Sequence, residues 1–210
     1  MNFIKTPAWL KWLFPSLLWD KHKQAGRKLY LTFDDGPVPG VTPFVLETLA
    51  HYQARATFFC VGENVENHPE VFQQLVAAGH SVGNHTYNHL DGWRTPTTRY
   101  LADVSRCREA LYHRLPPGQP MLFRPPYGKI RPGQIRHLRK EYRIVMWDIL
   151  TGDYDADFAA GDCLVKSIRH SRSGSILIFH DSYKAAKNLK YVLPRYLDHF
   201  ASAGYEFCSL

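Results

Sequence analysis

The 210-residue chain has no apolar run long enough to cross a bilayer as a helix, no Cys-x-x-Cys pair, no block of five like charges, no internal repeat and no low-complexity stretch. These absences exclude a helical membrane span, a zinc knuckle, a dithiol redox motif and a polybasic nucleic-acid tail. The most apolar segment, residues 8–20, holds Trp9, Leu10, Trp12, Leu13, Phe14, Leu17, Leu18 and Trp19, but it is short and Lys11 interrupts it. No small-residue cleavage site follows it, so a signal peptide is not expected. Residues 1–27 are therefore expected to form an N-terminal flap packing on the domain. The alternative is docking on a membrane surface, and any membrane contact is expected only through this segment. Absence of a signal points to a cytoplasmic or membrane-peripheral protein. The four cysteines, Cys60, Cys107, Cys163 and Cys208, read as buried free thiols.

What is present fits one domain with a substantial core. Apolar residues make up 45% of the chain and aromatic residues 14%. Lys and Arg number 26 against 19 Asp and Glu, a formal charge of +7. The positive charges are scattered, as on a solvated surface, and no nucleic-acid partner is expected.

Strand and helix patterns alternate along the chain. Strands are expected at 28–33, 56–61, 80–84, 121–124, 142–149, 175–179 and 205–210. Helices are expected at 42–52, 69–78, 97–115, 133–141, 158–170 and 188–203. Pro116 and Pro117 stop the third helix, and Gly79 and Gly204 end the second and sixth. Seven strands separated by helices require crossover connections and hence a mainly parallel sheet. A distorted seven-stranded α/β barrel is the first expectation, with an open doubly wound sheet second. In either, the polar residues collect at the C-terminal ends of strands: Asp34 and Asp35, His85, Arg124, Asp148 and Asp153, His180 and Asp181. That end of such sheets carries active sites.

Four short patterns carry chemistry. In Thr32-Phe33-Asp34-Asp35-Gly36-Pro37, adjacent carboxylates leave a strand through a turn that can aim both at one pocket. Both stay ionised side by side if a cation lies near. His85 and His89 are spaced to share a helical face and bind one metal. With one Asp they make a three-ligand set with an open position, suited to Zn2+ or a neighbouring divalent transition metal better than to Mg2+. Arg124, in Phe123-Arg124-Pro125-Pro126-Tyr127-Gly128, can hold a carboxylate such as Asp34 in a fixed fork. The bend after it leaves backbone N–H groups as candidate oxyanion donors. His180 ends an all-apolar strand, where partial desolvation suits a general acid, and Asp153 is placed to orient it. Each pattern also has a plain reading: an Asx-turn, two surface histidines, a surface ion pair, a satisfied structural histidine. Trp93 and Trp147 read as core or wall, with Trp147 a candidate to line the cleft.

These motifs, in this order, resemble those of the polysaccharide deacetylase family, also called the NodB homology domain or carbohydrate esterase family four. The likeness runs from about residue 28 to 210, which would make 28–210 the catalytic domain. It implies a distorted seven-stranded barrel, Asp34 as general base, and Asp35, His85 and His89 as ligands of one divalent metal, zinc first. It further implies Arg124 holding Asp34, the Tyr127 N–H at the oxyanion, and His180 as general acid held by Asp153. Pro126, Tyr127, Trp147, Tyr154 and Ile178 are expected to meet the substrate. Two positions depart from the family pattern: Tyr154 stands where it usually has Trp, and Ile178 where it usually has Leu. The implied activity is metal-dependent removal of acetyl groups from an N-acetylated glycan, peptidoglycan or chitin-like, and that substrate class would place the protein at the cell envelope. O-acetyl xylan, a small amide or non-catalytic glycan binding are the alternatives. Oligomeric state is not legible.

Overall fold

The computed structural model describes residues 4–23, 26–116, 118 and 120–210. Residues 1–3 and 24–25 of the expected flap, and Pro117 as a helix stop, lie outside the described residues. The elements in chain order are α1 (Ala8–Leu13), β1 (Lys28–Asp34), α2 (Thr42–His51), β2 (Thr57–Cys60), α3 (Gly62–Asn67), α4 (Pro69–Ala77), β3 (Ser81–Asn84), α5 (Thr97–Tyr112), β4 (Leu122–Phe123), α6 (Pro132–Leu138), β5 (Arg143–Ile144), β6 (Ile149–Leu150), α7 (Ala160–His170), β7 (Ile176–His180), α8 (Ala186–Ser202) and β8 (Glu206–Cys208). Every strand pairing between them is parallel, in the order β5-β4-β3-β2-β1-β7-β6, with β8 beside the first half of β1. With β5 and β6 counted as halves of one strand, this is a seven-stranded parallel sheet curled into an incomplete barrel, not an open doubly wound sheet.

The split of the fifth strand departs from the sequence reading of 142–149 as one strand. β5 pairs with β4 at one edge of the sheet, while β6 pairs with β7 at the other. The short link between them therefore joins the two edges. Neither half pairs on both sides with the sheet, and the N-terminal strap supplies the missing partners. The Leu18 N–H donates to the Ile144 carbonyl at 2.9 Å, and Met146 N–H donates to the Leu18 carbonyl at 2.7 Å. Lys5 bridges Ile149 in antiparallel sense, and Leu150 N–H donates to the Ile4 carbonyl at 2.8 Å. Open edges are thus covered rather than left as pairing templates.

Asp148, in this link, is a second correction. It does not face the mouth with the other strand-end acids. Its N–H donates to the carbonyl of Ile176, at the start of β7, so it sits toward the opposite end. There its fully buried carboxylate accepts from Lys11 Nζ at 2.5 Å and Ser175 Oγ at 2.7 Å, with His22 Nε2 at 3.3 Å and Lys5 Nζ at 3.8 Å. Burial pushes its pKa up, but the bonds from Lys11 and Ser175 outweigh it and hold the carboxyl below its usual range. Lys11 also reaches Asp20 at 2.7 Å. Asp20, His22 and Asp148 could converge on a cation, yet the Lys5 and Lys11 ammonium groups already balance the two carboxylates. The cluster is a clasp that fastens the strap.

The core follows from strand alternation. On β1, Leu29, Leu31 and Phe33 face the helices, with Phe33 stacked between Phe58 and Phe179. Tyr30 faces the barrel interior, packed with Phe59, Leu122, Val145 and Ile176, and Thr32 and Asp34 share its face. Gly83 on β3 is required by packing, since a Cβ there would lie 2.5 Å from the Phe59 ring. The remaining differences are local: α1 and α3 are not among the expected helices, and the helix expected to reach 115 ends at Tyr112. Cys60, Cys107 and Cys163 are buried free thiols, and Cys208 is a half-buried one. Among the described residues no helix is long and apolar enough to cross a membrane.

Removing the clasp acid tests its weight. Asp148→Ala leaves Lys11 facing a desolvated site and is expected to cost about 3 kcal/mol in urea unfolding. Arg108→Ala, which removes only the exposed pair with Glu141, should cost less than about 1 kcal/mol.

Candidate active site

The site grows from β1. Asp34 points inward by alternation, and its register partner on the next strand is His180 at the end of β7. Asp35 would face the other way in a continued strand. Instead it takes φ +83°, which turns its carboxylate back to the same cleft. Among the described residues five non-glycine residues have positive φ, and four of them, Asp35, Thr86, His89 and Tyr127, belong to this site. Such backbone persists where surrounding structure over-determines it, and it collects at functional sites.

Asp34 is held by Arg124, whose side chain is wholly buried. Nη1 donates to Asp34 Oδ1 at 2.7 Å and to Thr32 Oγ1 at 2.6 Å. Nη2 donates to the Met146 carbonyl at 2.8 Å, Nε to that of Val145 at 3.3 Å, and the guanidinium lies 4.1 Å from the centre of the Phe59 ring. The planar fork thus serves a carboxylate and two carbonyls at once, which Lys could not do.

His85 and His89 converge, but not on a helical turn as their spacing suggested. The chain from 85 to 89 is irregular, with Thr86 at φ +64° and His89 at φ +52°. Asp103 of α5 sets that loop by accepting from the N–H groups of Tyr87 at 2.7 Å and Asn88 at 3.0 Å. His85 Nδ1 lies 2.8 Å from the Arg124 carbonyl, which can only accept, so this nitrogen carries the proton and Nε2 is left as a lone-pair donor. Burial, set against the charges of Asp34 and Asp35, lowers the His85 pKa to about 4, so the ring is neutral. His89 Nδ1 is 3.1 Å from the Tyr127 hydroxyl. Asp35 Oδ1 is 3.2 Å from His89 Nε2 and 3.8 Å from His85 Nε2. Burial would raise the Asp35 pKa, but the His89 bond and the charges of His180 and His85 keep it well below the usual carboxylate range. One carboxylate oxygen and two imidazole nitrogens within 4.8 Å of one another fit a divalent transition metal by atom type, protonation and spacing.

The opposite wall carries His180 and Asp153. Asp153 is buried after β6. It accepts from the His180 backbone N–H at 2.8 Å and lies 2.8 Å from His180 Nδ1. Burial works against the imidazolium, yet Asp153, Asp35 and Asp34 together raise the His180 pKa to about 9. Tyr154 packs edge-on to the His180 ring at 4.9 Å. The cleft, of about 460 Å3, is lined by Asp34, Asp35, His85, His89, Tyr127, Trp147, Tyr154, Ile178 and His180 among others. Pro126 is buried, while Tyr127 stands exposed at the rim. All the expected site residues except Pro126, Arg124 and Asp153 therefore line the cleft, and the last two sit directly behind it.

The groups that hold the carboxylate turn have roles the sequence does not assign, although Asp181 is among the polar strand-end residues. Asp181 is fully buried, accepting from the Gly36 N–H at 3.1 Å and the Thr42 hydroxyl at 2.5 Å. A Cβ at Gly36 would lie 1.9 Å from Asp181 Oδ2, so glycine is required there. Burial and Asp35 push the Asp181 pKa up to about 8 despite those two bonds. Asn64 of the unforeseen α3 donates to the Asp35 carbonyl at 2.7 Å. Asp181 had a signal: it follows His180 on an alternating strand and so points the other way, under the turn. Asn64 and Asp103 had none.

Two substitutions separate support from chemistry. Asp181→Ala strands the Gly36 and Thr42 donors and should cost about 3 kcal/mol of stability, with weakened metal binding in calorimetric titration. Arg124→Met leaves Asp34 buried without its cation and is expected to lower unfolding free energy by about 3–5 kcal/mol, read from urea melts.

Comparison with known proteins gives this geometry its relatives. The sequence profile of the polysaccharide deacetylase family matches residues 21–146, more than half of the chain. The chain is 30% identical over 182 residues to a peptidoglycan-N-acetylglucosamine deacetylase of Bacillus cereus, covering 86% of this chain and 84% of that one. It is 35% identical over 159 residues to a chitooligosaccharide deacetylase of Bradyrhizobium, covering 75% and 72%. The crystal structure of the Bc1960 peptidoglycan N-acetylglucosamine deacetylase superposes with a TM-score of 0.87 at 26% identity, covering 98% of this chain and 95% of that one. By its matched profile, its relatives and its barrel, the chain belongs to the polysaccharide deacetylase family.

Proposed function

We propose that this protein is a metal-dependent N-deacetylase of a glycan built from N-acetylated amino sugars. The observation that carries the reading is the pairing, across one cleft, of a carboxylate fixed by Arg124 with an imidazole fixed by Asp153, beside an Asp-His-His ligand set. A module that only binds glycan needs neither a held base nor a held acid.

Asp35, His85 and His89 would hold the metal, zinc first for a nitrogen-and-oxygen donor set of three with an open position. When bound, it supplies Lewis acidity toward a carbonyl oxygen and makes water a better nucleophile near neutral pH. The chain's own residues do the rest. Asp34, aligned by Arg124, accepts the proton of the water that attacks the acetyl carbon. The Tyr127 backbone N–H, in the left-handed turn after β4, donates to the developing oxyanion. His180 presents Nε2 to the leaving nitrogen, because Asp153 holds Nδ1. It passes its proton there as the carbon–nitrogen bond breaks, giving acetate and a free amine. A histidine raised to about 9 is charged at neutral pH. A leaving amine must be protonated, and this Asp153-held imidazole is the group placed to do it. Trp147, Tyr154 and Ile178 supply apolar walls for the acetyl methyl and the sugar, and Pro126 stiffens the Tyr127 turn. The family relatives act on peptidoglycan N-acetylglucosamine and on chitooligosaccharide, and N-acetylglucosamine units are the substrate proposed here.

The reading is tested by acetate release from N-acetylglucosamine oligomers. Release by zinc-loaded protein should vanish on chelation and return when zinc is restored. Release that persists after chelation would exclude the metal's part. The pH profile tests the acid. Turnover falls as pH rises and His180 loses its proton, so the alkaline limb should lie above the ordinary histidine range in wild type. In Asp153→Asn, with the main raising charge removed, that limb should move at least about one unit lower, toward the ordinary histidine value. An unmoved limb would assign it to another group.

A further inference from the structure

A second cavity, of about 320 Å3, adjoins the catalytic cleft and shares Tyr127, Gly128, Trp147 and Leu150 with it. Its remaining walls come from the strap, chiefly Leu10, Phe14 and Leu17, and from Ile135 and Met146 of the barrel. Most of its polar side chains are already engaged. Thr6 Oγ1 donates to the Trp147 carbonyl at 2.8 Å, Trp19 Nε1 to that of Phe14 at 3.0 Å, and Trp93 Nε1 to that of Ile130 at 3.3 Å. A sugar ring needs hydrogen-bond partners for its hydroxyls, and a slot with its donors turned away offers few. A hydrocarbon needs none and gains from each methylene removed from water.

The strap adds an independent observation. The one charged side chain of α1, Lys11, is turned into the clasp; Leu10 faces the cavity, while Trp9, Trp12 and Leu13 are 63%, 81% and 55% exposed. A surface helix of a soluble domain ordinarily turns a polar face to water. Tryptophan on the outer face is the residue suited to the boundary of a lipid layer. The clasp at Asp148 fixes this helix over the cavity, with its inner face lining the slot and its outer face to solvent.

We propose that the cavity takes an aliphatic chain, so that this protein deacetylates an N-acetylated amino sugar carried on a hydrocarbon tail at a lipid surface. The sugar occupies the catalytic cleft and the tail passes Trp147 into the slot under α1. The proposal rests on the deacetylase reading for the sugar and on the cavity alone for the tail.

Matched methyl and octyl glycosides of N-acetylglucosamine, used below micelle formation, separate the two. Calorimetric titration of the zinc-loaded protein should show the octyl glycoside binding at least tenfold tighter, with a KM for acetate release lowered in proportion. Leu10→Trp fills the slot and should erase that gain while leaving hydrolysis of the methyl glycoside unchanged. Leu10→Asp should do the same by charge, in case the larger ring disturbs the strap. Equal binding of the two glycosides by wild type overturns the proposal, as does a gain that survives both variants. Tighter octyl binding without acetate release from either glycoside would instead sink the deacetylase reading and leave the tail site standing.

Discussion

The buried pair of Arg124 and Asp34 is the interaction on which the rest of the site depends. A guanidinium fully removed from water is costly unless its donors find acceptors. Here the donors are spread over Asp34, Thr32 and the carbonyls of Val145 and Met146. Those partners come from β1 and from the link between β5 and β6. One side chain therefore ties β4 to the first strand and to the chain segment joining the two sheet edges. The Arg124 carbonyl meanwhile fixes the His85 ring. The proposed base, Asp34, and one proposed metal ligand, His85, are thus oriented by the same residue, and neither can shift without disturbing barrel closure.

Closure has its own logic. A seven-stranded parallel sheet that curls but does not complete a barrel leaves two edges. In this chain a single segment, 143–150, pairs with one edge by its first half and with the other by its second. The strap then fills both vacant sides, through Leu18 beside β5 and Ile4 and Lys5 beside β6. Because the strap passes close to the cleft at Trp147, a structural repair at the seam also shapes the surroundings of the active site.

Much of this was legible in the sequence because local patterns carried it. Alternation along β1 and the all-apolar run of β7 announce buried parallel strands, and the Asp-Asp-Gly-Pro turn announces a functional bend. Arg124, Asp153 and His180 fell into place once strand ends were aligned. What was not legible depended on contacts distant along the chain. The break in the fifth strand is imposed by pairing with β4, β7 and the strap, none of which the run 142–149 itself reveals. The convergence of His85 and His89 arises from left-handed backbone held by Asp103, although their spacing mimicked a helix. Asp148 looked like another strand-end acid, and only the lysines of the strap show that it belongs to a clasp at the other end.

In the proposed mechanism two adjacent carboxylates do different work, Asp34 moving a proton and Asp35 holding the metal. Zinc stoichiometry and turnover measured together on Asp34→Asn and Asp35→Asn test it most directly. Asp34→Asn should keep one zinc per chain and lose most of its turnover, whereas Asp35→Asn should lose the zinc as well. Loss of zinc from both to the same degree, or near-normal turnover in Asp34→Asn, would contradict it.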